Sequence, residues 1–195
     1  MPATLTPPPE PVRPVRFTRA EYYRLAALGF FDGKRVERVR GEVVEMSPTD
    51  WAHVVACRKT GELLDRAFTS IGWVSRRDQP IALADSDPEP DVMAVAGRFE
   101  HYTDHPTTAL LVVEVANTTL ARDLTTKAKL YAEAGIPEYW VLDLVNRWLH
   151  VFRDPGPLPA GPGSVYGSRV EHGSADAVTP LAAPAASVRV ADLLP

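Results

Sequence analysis

With a single cysteine, Cys57, the chain can close no intramolecular disulfide and build no C-x-x-C metal knuckle, and a reducing cytoplasm is the compartment this suits. No stretch approaches about eighteen uninterrupted apolar residues, and no basic segment followed by an apolar run opens the sequence. Neither a membrane span nor a secretion signal is therefore expected. Positive charge is also short: 21 Lys and Arg face 25 Asp and Glu, for a net charge of −4, with a pI near 5.7. Such a balance gives no global attraction to nucleic acid and confines any phosphate-binding surface to a local patch. G-x-S-x-G, H-E-x-x-H, a phosphate-cradling glycine loop and a nucleophilic-cysteine context are all missing, which disfavours serine and zinc hydrolase chemistry. No internal repeat is visible.

What is present suits one globular domain, since 195 residues at 45% hydrophobic content can bury a full core. Six prolines in the first sixteen residues, "MPATLTPPPEPVRPVR", remove donors and offer little apolar surface, so residues 1–16 read as an extended arm and 17–195 as the domain. Thr18 and Glu21 stand at capping-box spacing before Gly29, predicting a helix over 18–28. Alternation on both sides of Arg40-Gly41 predicts a β-hairpin, and residues 50–71 carry the apolar rhythm of a long helix that Gly61 weakens without breaking. "DVMAVA" and the nearly continuous apolar run 109–116 read as strands, the second covered on both faces. A helix over 121–134 is stopped by Gly135 and Pro137, and "EYWVLDL" and "RWLHVFR" follow as a strand pair joined by "VNR". "DPGPLPAGPGS" reads as a loop, and a short element, "VRVADLLP", closes the chain. This mixed order predicts an α/β or α+β domain, a central mixed sheet flanked by helices.

Glu114 interrupts the apolar run 109–116. A carboxylate taken out of water costs several kcal/mol unless it is neutralised, paired or bound to a cation. Asp91, at the start of "DVMAVA", lies on a second strand of the same sheet, and two strand carboxylates completed by waters and a carbonyl describe a Mg²⁺ site. The competing readings are a turn aspartate after Pro90 and a buried ion pair for Glu114. On the following helix, Leu124, Ala128, Tyr131 and Gly135 form one stripe at about 100° per residue, with Lys127 at its margin and Lys129 opposite. Lys127 either faces Glu114 or snorkels and pairs with Asp123. Two strand acids and a lysine are the parts of a metal-dependent phosphodiesterase.

"VERVRGEVVEMSP" with His53, "PEPDVMAV" and "LLVVEVANTTLARDLTTKAKLYAEAGIPEYWVLDL" resemble the Uma-type restriction-endonuclease family, a branch of the PD-(D/E)XK nuclease superfamily, over roughly residues 18–155. The resemblance implies a restriction-endonuclease-like core, Asp91 and Glu114 as metal ligands for Mg²⁺ or Mn²⁺, and Lys127 as catalytic lysine. In the wider superfamily that lysine lies two residues after the acid, where this chain has Ala116; here it has moved to the helix. Glu37 matches an acidic position before the hairpin glycine and is implied as a further ligand or water-positioning base, against an exposed hairpin carboxylate. Ala116 also stands where the family often has serine, which removes one local hydrogen bond near Glu114. Asp123 reads as support for Lys127, Tyr131 as packing, Glu138-Tyr139-Trp140 as core, and His53 as structural. The function implied is Mg²⁺-dependent hydrolysis of DNA by a cytoplasmic enzyme, homodimeric by resemblance. The alternative is a non-catalytic module that keeps the fold to bind nucleic acid or protein. The acidic pI points to the module and the complete acid, acid, lysine set to the enzyme.

Overall fold

The computed structural model describes residues 14–76 and 79–195. The expected arm falls largely on residues 1–13, outside the described residues. The capping box forms as its spacing predicts, Thr18 accepting from the Glu21 backbone while the Glu21 carboxylate accepts from the Thr18 N–H, and it opens helix α1 (Arg19–Ala27). Strands β1 (Val36–Val39) and β2 (Glu42–Glu45) pair antiparallel. Arg40 and Gly41 between them have φ of 52° and 78°, the left-handed pair that a tight turn between right-twisted strands requires. Helix α2 (Trp51–Phe68) is capped by Asp50 and runs unbroken through Gly61.

Among the described residues, the strands β3 (Gly72–Arg76), β4 (Val92–Ala96), β5 (Leu111–Ala116), β6 (Glu138–Asp143), β7 (Trp148–Pro157) and β8 (Ser164–His172) form one sheet in that order. All neighbours are antiparallel except β5 and β6. Their parallel pairing requires a crossover, supplied by α3 (Leu120–Arg122), a π-helical turn (Asp123–Lys127) and α4 (Ala128–Glu133). Burial on both faces explains the continuous apolar run of β5. Leu111, Val113 and Val115 pack toward α2 with Leu64 and Phe68, while Val112 and Ala116 pack toward the crossover with Tyr131 and Tyr139. Glu114 shares the parity of Val112 and Ala116 and so points to the crossover side. The last elements are a two-stranded pair, β9 (Ala177–Val178) and β10 (Val188–Arg189), and α5 (Val190–Leu193).

One expectation fails. β7 continues through Asp154-Pro155-Gly156-Pro157, the start of the segment read as a loop, and pairs there with β8, a strand the sequence pattern did not announce. β6 reaches only to Arg153. Beyond it β7 has a neighbour on one side, so half of its N–H groups have no ladder to join and prolines are tolerated.

Candidate active site

Three elements converge where β4 begins and β5 ends. The last pair of that ladder is Val92 with Val113, so one further step sets Asp91 across from Glu114, and directly opposed side chains have Cβ atoms about 5 Å apart. Asp91 is fixed by two donors on one oxygen. Its Oδ2 accepts from the Val115 N–H at 2.8 Å and contacts His53 Nε2, on α2, at 3.1 Å. Glu114 is also doubly held, its Oε1 accepting from Lys127 Nζ at 2.8 Å and from the Tyr131 hydroxyl at 2.8 Å. Lys127 therefore faces Glu114, and its ammonium lies 3.8 Å from Glu37 Oε2 as well. Lys129 is half exposed and pairs with Glu133. Glu37 is fully buried, not an exposed hairpin carboxylate; it accepts from Arg122 and from the Glu89 N–H. Glu37, His53, Asp91, Glu114, Arg122 and Lys127 line a cavity of about 100 Å³ whose wall also includes Asp50 and Asp123.

The π turn explains how the crossover delivers two polar groups inward. Its i→i+5 bond, Ala128 N–H to Asp123 O, admits one more residue than an α turn, so each residue advances by less than 100°. Asp123 thereby rotates into the interior and Leu124 partly out, whereas a uniform α-helix would bury Leu124 and leave Asp123 to the side. Asp123 Oδ2 accepts from the Thr119 hydroxyl at 2.6 Å, and its carbonyl accepts from the Tyr139 hydroxyl.

The profile of the family described as "Uma2: Putative restriction endonuclease" matches residues 19–168. The chain belongs to the Uma2 family. The fold of this Uma2 protein resembles that of a solved protein from Anabaena variabilis ATCC 29413 described as "a putative nuclease belonging to DUF820". The TM-score is 0.70 at 14% identity, over 92% of this chain and 97% of that one. At that identity the likeness speaks for the fold. No curated protein matches the Uma2 chain.

Electrostatics in the Uma2 cavity follow from burial. Loss of water pushes the Glu114 carboxyl up to about 8, against the pull of the Lys127 ammonium, with Asp91 and Asp123 adding to the rise. Burial also works to discharge Lys127, but Glu114, Glu37 and Asp123 outweigh it and hold its charge above the ordinary lysine range. Asp91 goes the other way. Burial would raise it, but the bond to His53 and the Val115 N–H hold its carboxyl below the usual value. Sequence reasoning missed three features: the Tyr131 hydroxyl as a Glu114 donor, Arg122 as the partner of Glu37, and His53 as the orienter of Asp91. The first two had no local signal. For His53 there was one, because an N-cap aspartate three residues before it fixes the first turn of α2 against the sheet.

Proposed function

We propose that this chain hydrolyses phosphodiester bonds in DNA with a divalent cation, Mg²⁺ or Mn²⁺, held by Asp91 and Glu114. The observation that carries the reading is the charge balance of the cavity. Among the described residues, five carboxylates, Glu37, Asp50, Asp91, Glu114 and Asp123, line the cavity with three fixed cations, Arg35, Arg122 and Lys127, a formal deficit of two that one divalent ion would fill. Burial raises the Glu114 carboxyl within that acid cluster, with Asp91 and Asp123 adding to the rise, which is the repulsion a bound cation would relieve. Its Oε1 carries both hydrogen bonds, which leaves Oε2 as the oxygen for a cation, and a set of hard oxygen donors suits Mg²⁺ or Mn²⁺. When bound, the ion supplies Lewis-acid polarisation and a more acidic water. The chain's own residues do the rest. Lys127, clamped between Glu114 and Glu37, offers a preorganised positive charge to the phosphoryl oxygens as negative charge develops on them. Glu37, anchored by Arg122, holds that lysine and stands ready to orient a water. The family description, a restriction endonuclease, supports DNA as the substrate, and a homodimeric, cytoplasmic enzyme belongs to the same reading, with one free cysteine in keeping with that compartment.

A second reading has its own observation: Lys127 and Tyr131 already satisfy Glu114 Oε1 without any ion, as a binding module with a relic acid cluster would require. Incubation with supercoiled plasmid separates the two. Nicking or linearisation with Mg²⁺ or Mn²⁺, abolished by a chelator, is the expected result, and a chain inert with both ions is a module. Binding of the cation must also expel the Glu114 proton. Apparent Mg²⁺ affinity is therefore expected to strengthen about tenfold per pH unit up to about pH 8 and then to level off, as calorimetry across that range would show. The linkage to folding has the opposite sign. A carboxyl raised from 4.5 to about 8 contributes stability at acidic pH and loses it as pH rises through that window, so Mg²⁺ should stabilise most at the alkaline end.

A further inference from the structure

A second cavity lies on the other side of the same crossover. Thr119, Arg122 and Asp123 line the acidic cavity, whereas Leu120 and Leu124 line a separate space of about 360 Å³ whose other walls are the sheet residues Asp143, Trp148, His150 and Glu171. That volume suits a small-molecule site, about 300–1,000 Å³. The sheet brings the two cavities together, since Asp143 at the end of β6 pairs with Ala116 at the end of the Glu114 strand, and paired strands run about 4.8 Å apart. Trp148 and His150 share the parity of Phe152, opposite to Leu149 and Val151, and so face the crossover. His150 is 5% exposed, and its buried Nε2 has no hydrogen-bond partner among the described residues, with Asp143 Oδ2 standing 4.0 Å away. Burial and the Arg169 guanidinium hold this ring below the ordinary histidine range, so it is neutral. Its Nδ1 lies 3.2 Å from Arg169 NH2 and 3.3 Å from Glu171 Oε1. A guanidinium can only donate, so the shorter contact makes Nδ1 an acceptor and assigns the ring proton to Nε2.

A buried N–H with no acceptor is a cost that a ligand can remove. Asp143 supplies the complementary group. Its Oδ1 accepts from the Val145 and Asn146 N–H groups and its Oδ2 from Asn146 Nδ2, which fixes the carboxylate and leaves Oδ2 able to accept once more. The cavity thus offers a donor beside an acceptor, next to the half-exposed flat face of Trp148. Among the described residues two carboxylates and no lysine or arginine line it, which disfavours an anion. We propose that it holds one nucleobase of the strand being cleaved, unstacked from its neighbours. Trp148 stacks on the ring, His150 Nε2–H donates to an acceptor of the base, and Asp143 Oδ2 accepts from an N–H on the same edge. Every base carries a donor next to an acceptor on its pairing edge, so the cavity senses that a base is present without selecting which. That the base belongs to a cleaved strand rests on the function proposed above; the base pocket itself does not.

A neutral nucleoside tests the pocket without any cleavage. The chain has four tryptophans, and the indole N–H resonance of Trp148 is the one missing from the ¹H–¹⁵N spectrum of Trp148→Phe. Millimolar deoxycytidine is expected to shift that resonance saturably in the wild type, while deoxyribose 5-phosphate, which keeps sugar and charge but lacks the base, leaves it in place. His150→Leu should weaken the nucleoside about tenfold, and His150→Gln, which keeps an amide donor, should recover most of the loss. No shift with deoxycytidine, or an equal shift with deoxyribose 5-phosphate, would overturn the base pocket. Trp148 is half exposed, so Trp148→Ala serves should the buried histidine variants fail to fold. It should raise the KM for oligonucleotide cleavage about tenfold, with kcat and Mg²⁺ affinity nearly unchanged. An active wild type whose KM survives Trp148→Ala overturns the pocket's place on the cleaved strand. A protein that takes the nucleoside and cleaves no DNA refutes the nuclease function and leaves the pocket standing.

Discussion

Lys127→Ala is expected to lower the rate of Mg²⁺-dependent cleavage by on the order of a hundredfold or more, measured per folded molecule on plasmid or oligonucleotide. The lysine is 4% exposed and its ammonium reaches two carboxylates, so its loss also removes stability. Glu114 limits that loss, because a carboxyl raised to about 8 by burial is neutral below that pH and can stay buried without its cation partner. The catalytic deficit is therefore larger than the folding deficit. Lys129→Ala is the control on the same helix. Its side chain is half exposed and its ion-pair partner, Glu133, is 3.9 Å away, an i,i+4 pair worth a few tenths of a kcal/mol. Loss of stability in Lys127→Ala with an unchanged rate per folded molecule would make the lysine a structural counter-ion.

The largest effect on folding is expected at Glu138, which does not line the cavity. It is fully buried, and its two oxygens accept four bonds: Oε1 from Trp140 Nε1 at 3.0 Å and from Arg153 Nε and NH2 at 2.9 and 2.6 Å, Oε2 from the Leu181 N–H at 2.7 Å. One carboxylate thus ties β6 to β7 and to the C-terminal segment, and Arg153 extends the tie to the Thr179 carbonyl. Glu138→Ala leaves a buried indole N–H and a backbone N–H unpaired. Arg153 is partly exposed and can find water, which holds the cost to about 3 kcal/mol. For a chain of this size that corresponds to a fall in Tm on the order of 10 °C. A shift of a degree or two in thermal unfolding would show that water replaces the carboxylate without cost.

Local chemistry made much of this fold legible. The capping box at Thr18, the Arg40-Gly41 turn, the stop at Gly135 with φ of 70° and the unbroken apolar run around Glu114 each depend on residues close in sequence. Glu114 drew attention because a charge in a strand covered on both faces needs a partner, and its partners, Lys127 and Tyr131, came from the helix the pattern identified. The parts that were not legible depend on distant residues. The π turn that buries Asp123 in place of Leu124 has no signature in a 3.6-residue rhythm, since the interior decides which of two adjacent side chains turns inward. β8 and the proline-bearing end of β7 were hidden because a loop composition is tolerable in a strand that lacks one neighbour. For Glu37 the hairpin pattern left a site role and an exposed carboxylate both open, and its burial depends on Arg122, 85 residues away.

The central claim is that Asp91 and Glu114 together hold a divalent cation. Calorimetric titration of Mg²⁺ into the wild type and into Glu114→Gln, both at a pH above 8 where the glutamate is ionised, tests it most directly. The glutamine keeps the shape and an acceptor for Lys127 and Tyr131 but removes the charge. The wild type should bind with release of protons at lower pH, and Glu114→Gln should lose affinity by at least about tenfold and lose the proton release altogether. Equal Mg²⁺ affinity in the two proteins would contradict the account.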